Sequence, residues 1–212
     1  MPLDLILPRA CGGCAKLGTL WCDDCAASLA GPPVRVRPRT DPGVPCWALG
    51  PYTGPARRAV LAAKEYGRRD LAAPLGLAVA RGLDGLRARD RPLVLVPAPS
   101  RRAAARRRGG DPVARAVRVA ASWLPACRCA PVLATRRGVR DSVGLSREDR
   151  RHNLRDRVTA VGRALPAALR VLNAEVVLVD DVLTTGATAA EAVRTLARIG
   201  VAVRGVLVTC AA

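Results

Sequence analysis

Residues 176 to 188 read VVLVDDVLTTGAT. Val176 to Val179 is a short apolar run of the kind found in strands buried on both faces of a parallel sheet. It brings two adjacent acids, Asp180 and Asp181, to the strand's carboxyl end, the edge of an α/β sheet at which ligands bind. A loop of small and hydroxyl-bearing residues follows: Thr184, Thr185, Gly186, Ala187 and Thr188. From Ala187 to Ile199 the pattern is that of an amphipathic helix, with Val193, Leu196 and Ile199 on one face. Gly200 ends it, and Val203 to Val208 reads as the next strand. Strand, helix and strand in this order predict a βαβ unit, and with it a parallel sheet with right-handed crossovers.

The same residues carry a chemical expectation. Small residues let backbone N–H groups close around a phosphate, hydroxyls add donors, and a helix N-terminus favours an anion. Two carboxylates turned toward that phosphate would repel it. They fit if they accept hydrogen bonds from two neighbouring sugar hydroxyls and help hold a hydrated magnesium ion. The plain alternative is an ordinary strand–loop–helix junction that happens to be acidic. Against it stands the order of apolar strand, paired acids, Thr/Gly loop and amphipathic helix, which is the context such a site requires.

The stretch resembles, along its whole length, the phosphoribosyl pyrophosphate (PRPP) motif of type I phosphoribosyltransferases. The resemblance implies that the loop takes the 5-phosphate and the acids the ribose hydroxyls. It also implies a second loop, after an earlier strand, for the pyrophosphate. Leu93 to Val96 is such a strand, an all-apolar run leading into Pro97-Ala98-Pro99-Ser100-Arg101. Arg101 or Arg102 is expected to face the anion there. Lys64 is a second candidate for that charge, because it and Lys16 are the only lysines in a chain that otherwise uses arginine. A plain surface lysine is the equal alternative.

Away from these segments the chain continues in α/β style. Pro55 to Gly67 is helical in pattern and closes on a glycine, and Asp70 to Leu83 continues helically. Asp111-Pro112 sets an N-cap residue before a proline at the first helical position, for a helix running to about Leu124. Val132 to Thr135 reads as a short strand. Residues 136 to 157 are polar and arginine-rich and predict a loop or a surface helix. His152, the only histidine, falls among them and reads as solvated.

Near the N-terminus, Cys11-x-x-Cys14 and Cys22-x-x-Cys25 form two knuckles separated by seven residues. Each pair can bring two thiolates to one metal, and four thiolates complete tetrahedral zinc with no open position. The expected zinc is therefore structural, ordering a segment too small for a core of its own. Redox CxxC pairs or disulfides are the alternatives. Cys46, Cys127, Cys129 and Cys210 have no comparable spacing and read as buried or incidental thiols, with oxidation of a Cys127/Cys129 pair left open. Gly31 to Pro45, GPPVRVRPRTDPGVP, has linker composition. The expected organisation is a four-cysteine module over 1–30, a Pro/Arg-rich linker over 31–46 and an α/β domain over 47–212.

A chain of 212 residues accommodates that arrangement. It has no phenylalanine and only five aromatic residues, so its core is aliphatic and offers no evident platform for stacking bases. The net charge of +18 favours encounter with polyphosphates and nucleic acid. An equally good account is compositional drift, since nearly all of the positive charge is arginine in a chain rich in Ala, Gly and Pro. No signal peptide or stretch of ~20 apolar residues is evident, so a cytoplasmic location with reduced thiols is expected.

With both motifs in place, the chain resembles the ComF family (ComFC/GntX-like proteins) over nearly its whole length. The features that carry the resemblance are the four-cysteine finger, Lys64-Glu65-Tyr66-Gly67, Val96-Pro97-Ala98-Pro99, Arg108-Gly109, Arg150 with Asn153, and the PRPP loop, in that order. It departs from the family at Gly110-Asp111-Pro112, where Phe-Asn-Gln is usual, and at Ser142, where a glutamine is common. Membership implies a type I phosphoribosyltransferase fold, Mg-dependent PRPP binding, and a role in natural competence with single-stranded DNA and other competence proteins as partners. Two classes of activity follow. One is a phosphoribosyltransferase of unknown acceptor, with Arg101, Lys64 and the arginines between 147 and 151 stabilising the departing pyrophosphate. The other is a non-catalytic module that senses PRPP or binds nucleic acid or protein on the same fold.

Overall fold

The apolar runs around Val94, Val177 and Val206 become the middle of one sheet. In a computed structural model of the chain, which describes residues 9–99, 110–135, 158–161, 169 and 173–212, the strands are β1 (Val34–Val36), β2 (Cys46–Pro51), β3 (Leu93–Pro97), β4 (Cys127–Cys129), β5 (Leu133–Thr135), β6 (Val158–Ala160), β7 (Glu175–Leu183) and β8 (Gly205–Ala211). Six of them form a sheet in the order β1-β2-β8-β7-β3-β4, parallel throughout except where β1 meets β2, while β5 and β6 form a separate antiparallel pair. The described helices are α1 (Asp23–Ala27), α2 (Gly54–Glu65), α3 (Ala72–Asp84), α4 (Pro112–Trp123) and α5 (Ala187–Arg198). The fold is α/β: a mostly parallel six-stranded sheet between helices, with a four-cysteine cluster at its N-terminal side.

Alternation along the central strands divides the core in two. Leu93, Leu95, Val177, Val179 and Leu207 pack under α2, α3 and α4. Val94, Val96, Val176, Leu178, Val206 and Val208 face the other way, under Ala189, Ala192 and Leu196 of α5. The connection β3–α4–β4 therefore runs along one face toward one edge, and β7–α5–β8 runs along the opposite face toward the other. Between the carboxyl ends of β3 and β7 the direction of winding reverses, which is where open α/β sheets form a ligand crevice.

Local signals set several boundaries. Asp111 caps α4 as expected, accepting from the N–H groups of Val113 (2.9 Å) and Ala114 (3.2 Å), with Pro112 at the first helical position. Two expectations need adjustment. β7 does not stop at Val179: it stays paired with β8 as far as Leu183, whereas its last pair with β3 is Pro97↔Val179. Asp180 and Asp181 are thus held in the strand on the β8 side and stand clear of β3 on the other. The stretch 31–46, read as a linker, supplies the edge strand β1, with Val34↔Ala48 and Val36↔Cys46 in register. Its Val-Arg-Val alternation is too short to stand out among the prolines.

Candidate functional site

Asp180 and Asp181 occupy the crevice at the winding reversal, and α2 contributes the facing cation. The Lys64 ammonium lies 3.0 Å from Asp181 Oδ2 and donates to Oδ1 at 3.2 Å. Burial pulls the lysine down, but Asp181 first, and then Asp180 and Glu65, outweigh it and hold the ammonium above its ordinary value. Burial, and next the Asp181 charge, push the Asp180 carboxyl well above the usual carboxylate range, against the pull of the Asp181 N–H and Lys64. That N–H donates to Asp180 Oδ1 at 2.8 Å. The Lys64 charge thus compensates Asp181, so an anionic ligand approaching the crevice meets one paired acid rather than two bare carboxylates.

Next to the acids a cleft opens between α2, α3 and α4. Its walls include Val60, Ala63, Leu75, Val113, Ala116 and Val179, and Lys64, Arg68, Arg69 and Arg115 also line it. Arg68 is held by Asp70, with Nη2 to Oδ2 at 2.7 Å.

Past Leu183 the loop Thr184-Thr185-Gly186 leads into α5. Thr184, Thr185 and Thr188 are exposed and Gly186 is buried. Gly186 adopts φ 84°, and a Cβ on it would stand 2.4 Å from the Thr40 carbonyl oxygen and 2.6 Å from Pro38 Cβ. Only glycine suits both the left-handed backbone and that close approach. No side chain caps α5; the Ala187 N–H alone reaches Thr185 Oγ1, at 3.4 Å. Such an N-terminus offers its first-turn N–H groups and a favourable field to an anion.

Sequence reading missed the segment that covers this loop. Thr40 N–H donates to Thr185 O at 2.7 Å, and Arg37, Pro38 and Arg39 line a groove with Leu183, Thr184 and Thr185. Two exposed arginines thereby stand beside the Thr loop. No local pattern marks them, because what matters is the contact of residues 38–40 with residues 185–186. Arg101, assigned to the pyrophosphate, lies outside the described residues, as do Ser100, Arg102, Arg108, Gly109, Ser142, Arg150, His152, Asn153 and the arginine-rich stretch 136–157. Pro97 ends β3 beside Val179, so the segment that leads to Arg101 leaves the sheet next to the acids.

The four cysteines meet as their spacing predicts. The Sγ atoms of Cys11, Cys14, Cys22 and Cys25 all lie within 4.8 Å of one another, with Cys11–Cys22 at 3.7 Å and Cys14–Cys22 at 3.6 Å. Tetrahedral zinc with Zn–S near 2.3 Å sets sulfurs about 3.8 Å apart, so the donor set fits. Cys11 Sγ accepts from the N–H groups of Gly13 and Cys22, each at 3.4 Å. Burial raises this thiol, but backbone N–H groups of Cys14, Cys22 and Gly13 outweigh it and bring it down to about 6. The cluster is consistent with a structural zinc site. Cys46 and Cys210 are buried thiols, pushed up to about 11 and about 12 chiefly by burial, and Cys127 and Cys129 are half-buried on the edge strand β4.

No protein-family model matches the chain, and no curated protein matches it either. Among the described residues, no helix is long and apolar enough to cross a membrane.

Proposed function

We propose that the chain is a ComF-family protein that binds PRPP with magnesium in a phosphoribosyltransferase-type site. The observation that carries this reading is the delivery of Asp180 and Asp181 by β7 to the winding reversal, directly ahead of a Thr-Thr-Gly loop and an uncapped helix N-terminus. In this reading the N–H groups and hydroxyls of Thr184, Thr185, Gly186, Ala187 and Thr188 hold the 5-phosphate. Asp180 and Asp181 accept from the ribose hydroxyls and help to hold the hydrated magnesium. Lys64 compensates Asp181 and supplies, with Arg101, positive charge for the pyrophosphate. Catalysis would consist of orienting both ends of PRPP and stabilising the departing pyrophosphate while an acceptor attacks C1. The family resemblance extends the reading to natural competence and the handling of incoming single-stranded DNA.

Isothermal titration of PRPP with Mg²⁺ tests the site: the parent chain is expected to bind and Asp180→Ala and Asp181→Ala to bind much more weakly. Absence of binding by the parent rejects the reading. Pyrophosphate release screened over bases, amines and nucleotides then separates a transferase from a module that binds without turnover.

A further inference from the structure

The four-cysteine cluster is not a free appendage, because its first knuckle grips the helix that carries Lys64. Gly13 O, between the two cysteines of that knuckle, accepts from Arg58 Nε. Ala10 O, just before Cys11, accepts from Arg68 Nη2 at 2.9 Å. Gly12 lies flat on fully buried Leu71, where an added Cβ would stand 2.6 Å from both leucine methyls. Arg58 belongs to the first half of α2, whereas Arg68 and Leu71 follow its last turn. The knuckle therefore holds α2 on both sides of Lys64, and Lys64 meets Asp181 across 117 positions of sequence.

We propose that the cysteine cluster is a positioning device for the sheet-edge acids: metal held by Cys11, Cys14, Cys22 and Cys25 fixes the seat of α2, and through it fixes Lys64 against Asp181. Gly12, Arg58 and Leu71 are the positioning residues. Cys11, Cys22 and Cys25, with Trp21 against them, are the buried apolar content of the knuckles, so the seat depends on the metal together with a few backbone hydrogen bonds, among them Cys11 N–H to Lys16 O and Gly12 N–H to Leu20 O. Release of the metal loosens the grip on α2 and weakens the ion pair. By linkage, any ligand that needs Lys64 in place also tightens the metal. The consequence for PRPP rests on the proposed function; the coupling from cluster to Lys64 does not.

The chain's two lysines make a direct test possible without PRPP. Reductive methylation of the full chain, followed by peptide mass spectrometry, reads Lys64 and the exposed Lys16 separately. In zinc-loaded protein Lys64 is expected to react more slowly than Lys16. Stripping the metal is expected to speed Lys64 relative to Lys16, on the order of tenfold for each unit its pKa falls. Alkylation of Cys210, wholly buried in β8, reports global unfolding and is expected to stay slow. Gly12→Ala keeps all four thiolates and is expected to retain zinc while also speeding Lys64; Asp181→Asn supplies the rate with the ion pair removed. A Lys64-to-Lys16 rate ratio that stays at its zinc-loaded value in both the stripped chain and Gly12→Ala overturns the proposal. If Cys210 becomes reactive on stripping, the Gly12→Ala comparison alone decides it. Failure here leaves PRPP binding untouched, and failure of PRPP binding leaves this coupling standing.

Discussion

In the proposed site, Asp180 sets binding against stability in one side chain. Its carboxyl is pushed above the usual range by burial and by Asp181, so the folded state disfavours its ionised form. The associated stability is full below the ordinary carboxylate pKa and is lost as pH rises through the raised folded value. Asp180→Asn removes that loss. It is expected to melt higher than the parent near neutral pH, with the difference shrinking as the pH falls toward 4, and to bind PRPP·Mg more weakly. Thermal melts at several pH values, alongside titrations, check both halves. A variant that melts no higher at neutral pH would show that burial does not penalise this carboxylate. Lys64 works in the opposite sense: its contribution is present at neutral pH and fades only as pH climbs past its own raised value. Because 40% of its side chain is exposed, solvent screening keeps that contribution small.

The element on which the proposed phosphate site depends is the turn from β7 into α5. Gly186 combines a left-handed φ of 84° with backbone contact to Thr40. An alanine there accepts about 1–2 kcal/mol of backbone strain and must also move residues 38–40 aside. Gly186→Ala is therefore expected to lower the urea midpoint by more than the strain alone, with the slope unchanged, and to weaken PRPP binding. A midpoint equal to the parent's would mean that the contact of 38–40 with the loop contributes nothing. Elements of this kind were largely legible in the sequence. The β7–α5–β8 unit and the Asp111 cap depend on residues close together in the chain, and their signatures lie within a few positions. The strand β1 was not legible. Three residues between prolines make a strand only because Cys46 to Ala48 present an open edge to pair with, and no local propensity announces that.

Among the described residues, the cysteine cluster is joined by direct contacts to the helices that pack on the sheet. Gly13, Ala10 and Gly12 connect the cluster to Arg58, Arg68 and Leu71, and Leu71 belongs to the core under the sheet. Mass spectrometry of the intact chain is expected to find one zinc per molecule, lost in Cys11→Ser. Chelation is expected to lower the melting temperature of the whole protein rather than release a separately melting tail. A transition of the α/β domain indifferent to chelator would show that the cluster is only tethered. The spacing of the cysteines, the strand–acid–loop–helix order of residues 176–188 and the cap of α4 could be read from the chain itself, because each is a matter of a few neighbouring residues and the geometry they allow. Three features came only with the fold: the order of strands that places the acids at a winding reversal, the meeting of Lys64 with Asp181, and the closing of residues 38–40 over Gly186. They join residues tens to more than a hundred positions apart. Such contacts are selected by how whole faces pack and how strands find their edges, and the surrounding local sequence is compatible with many other partners.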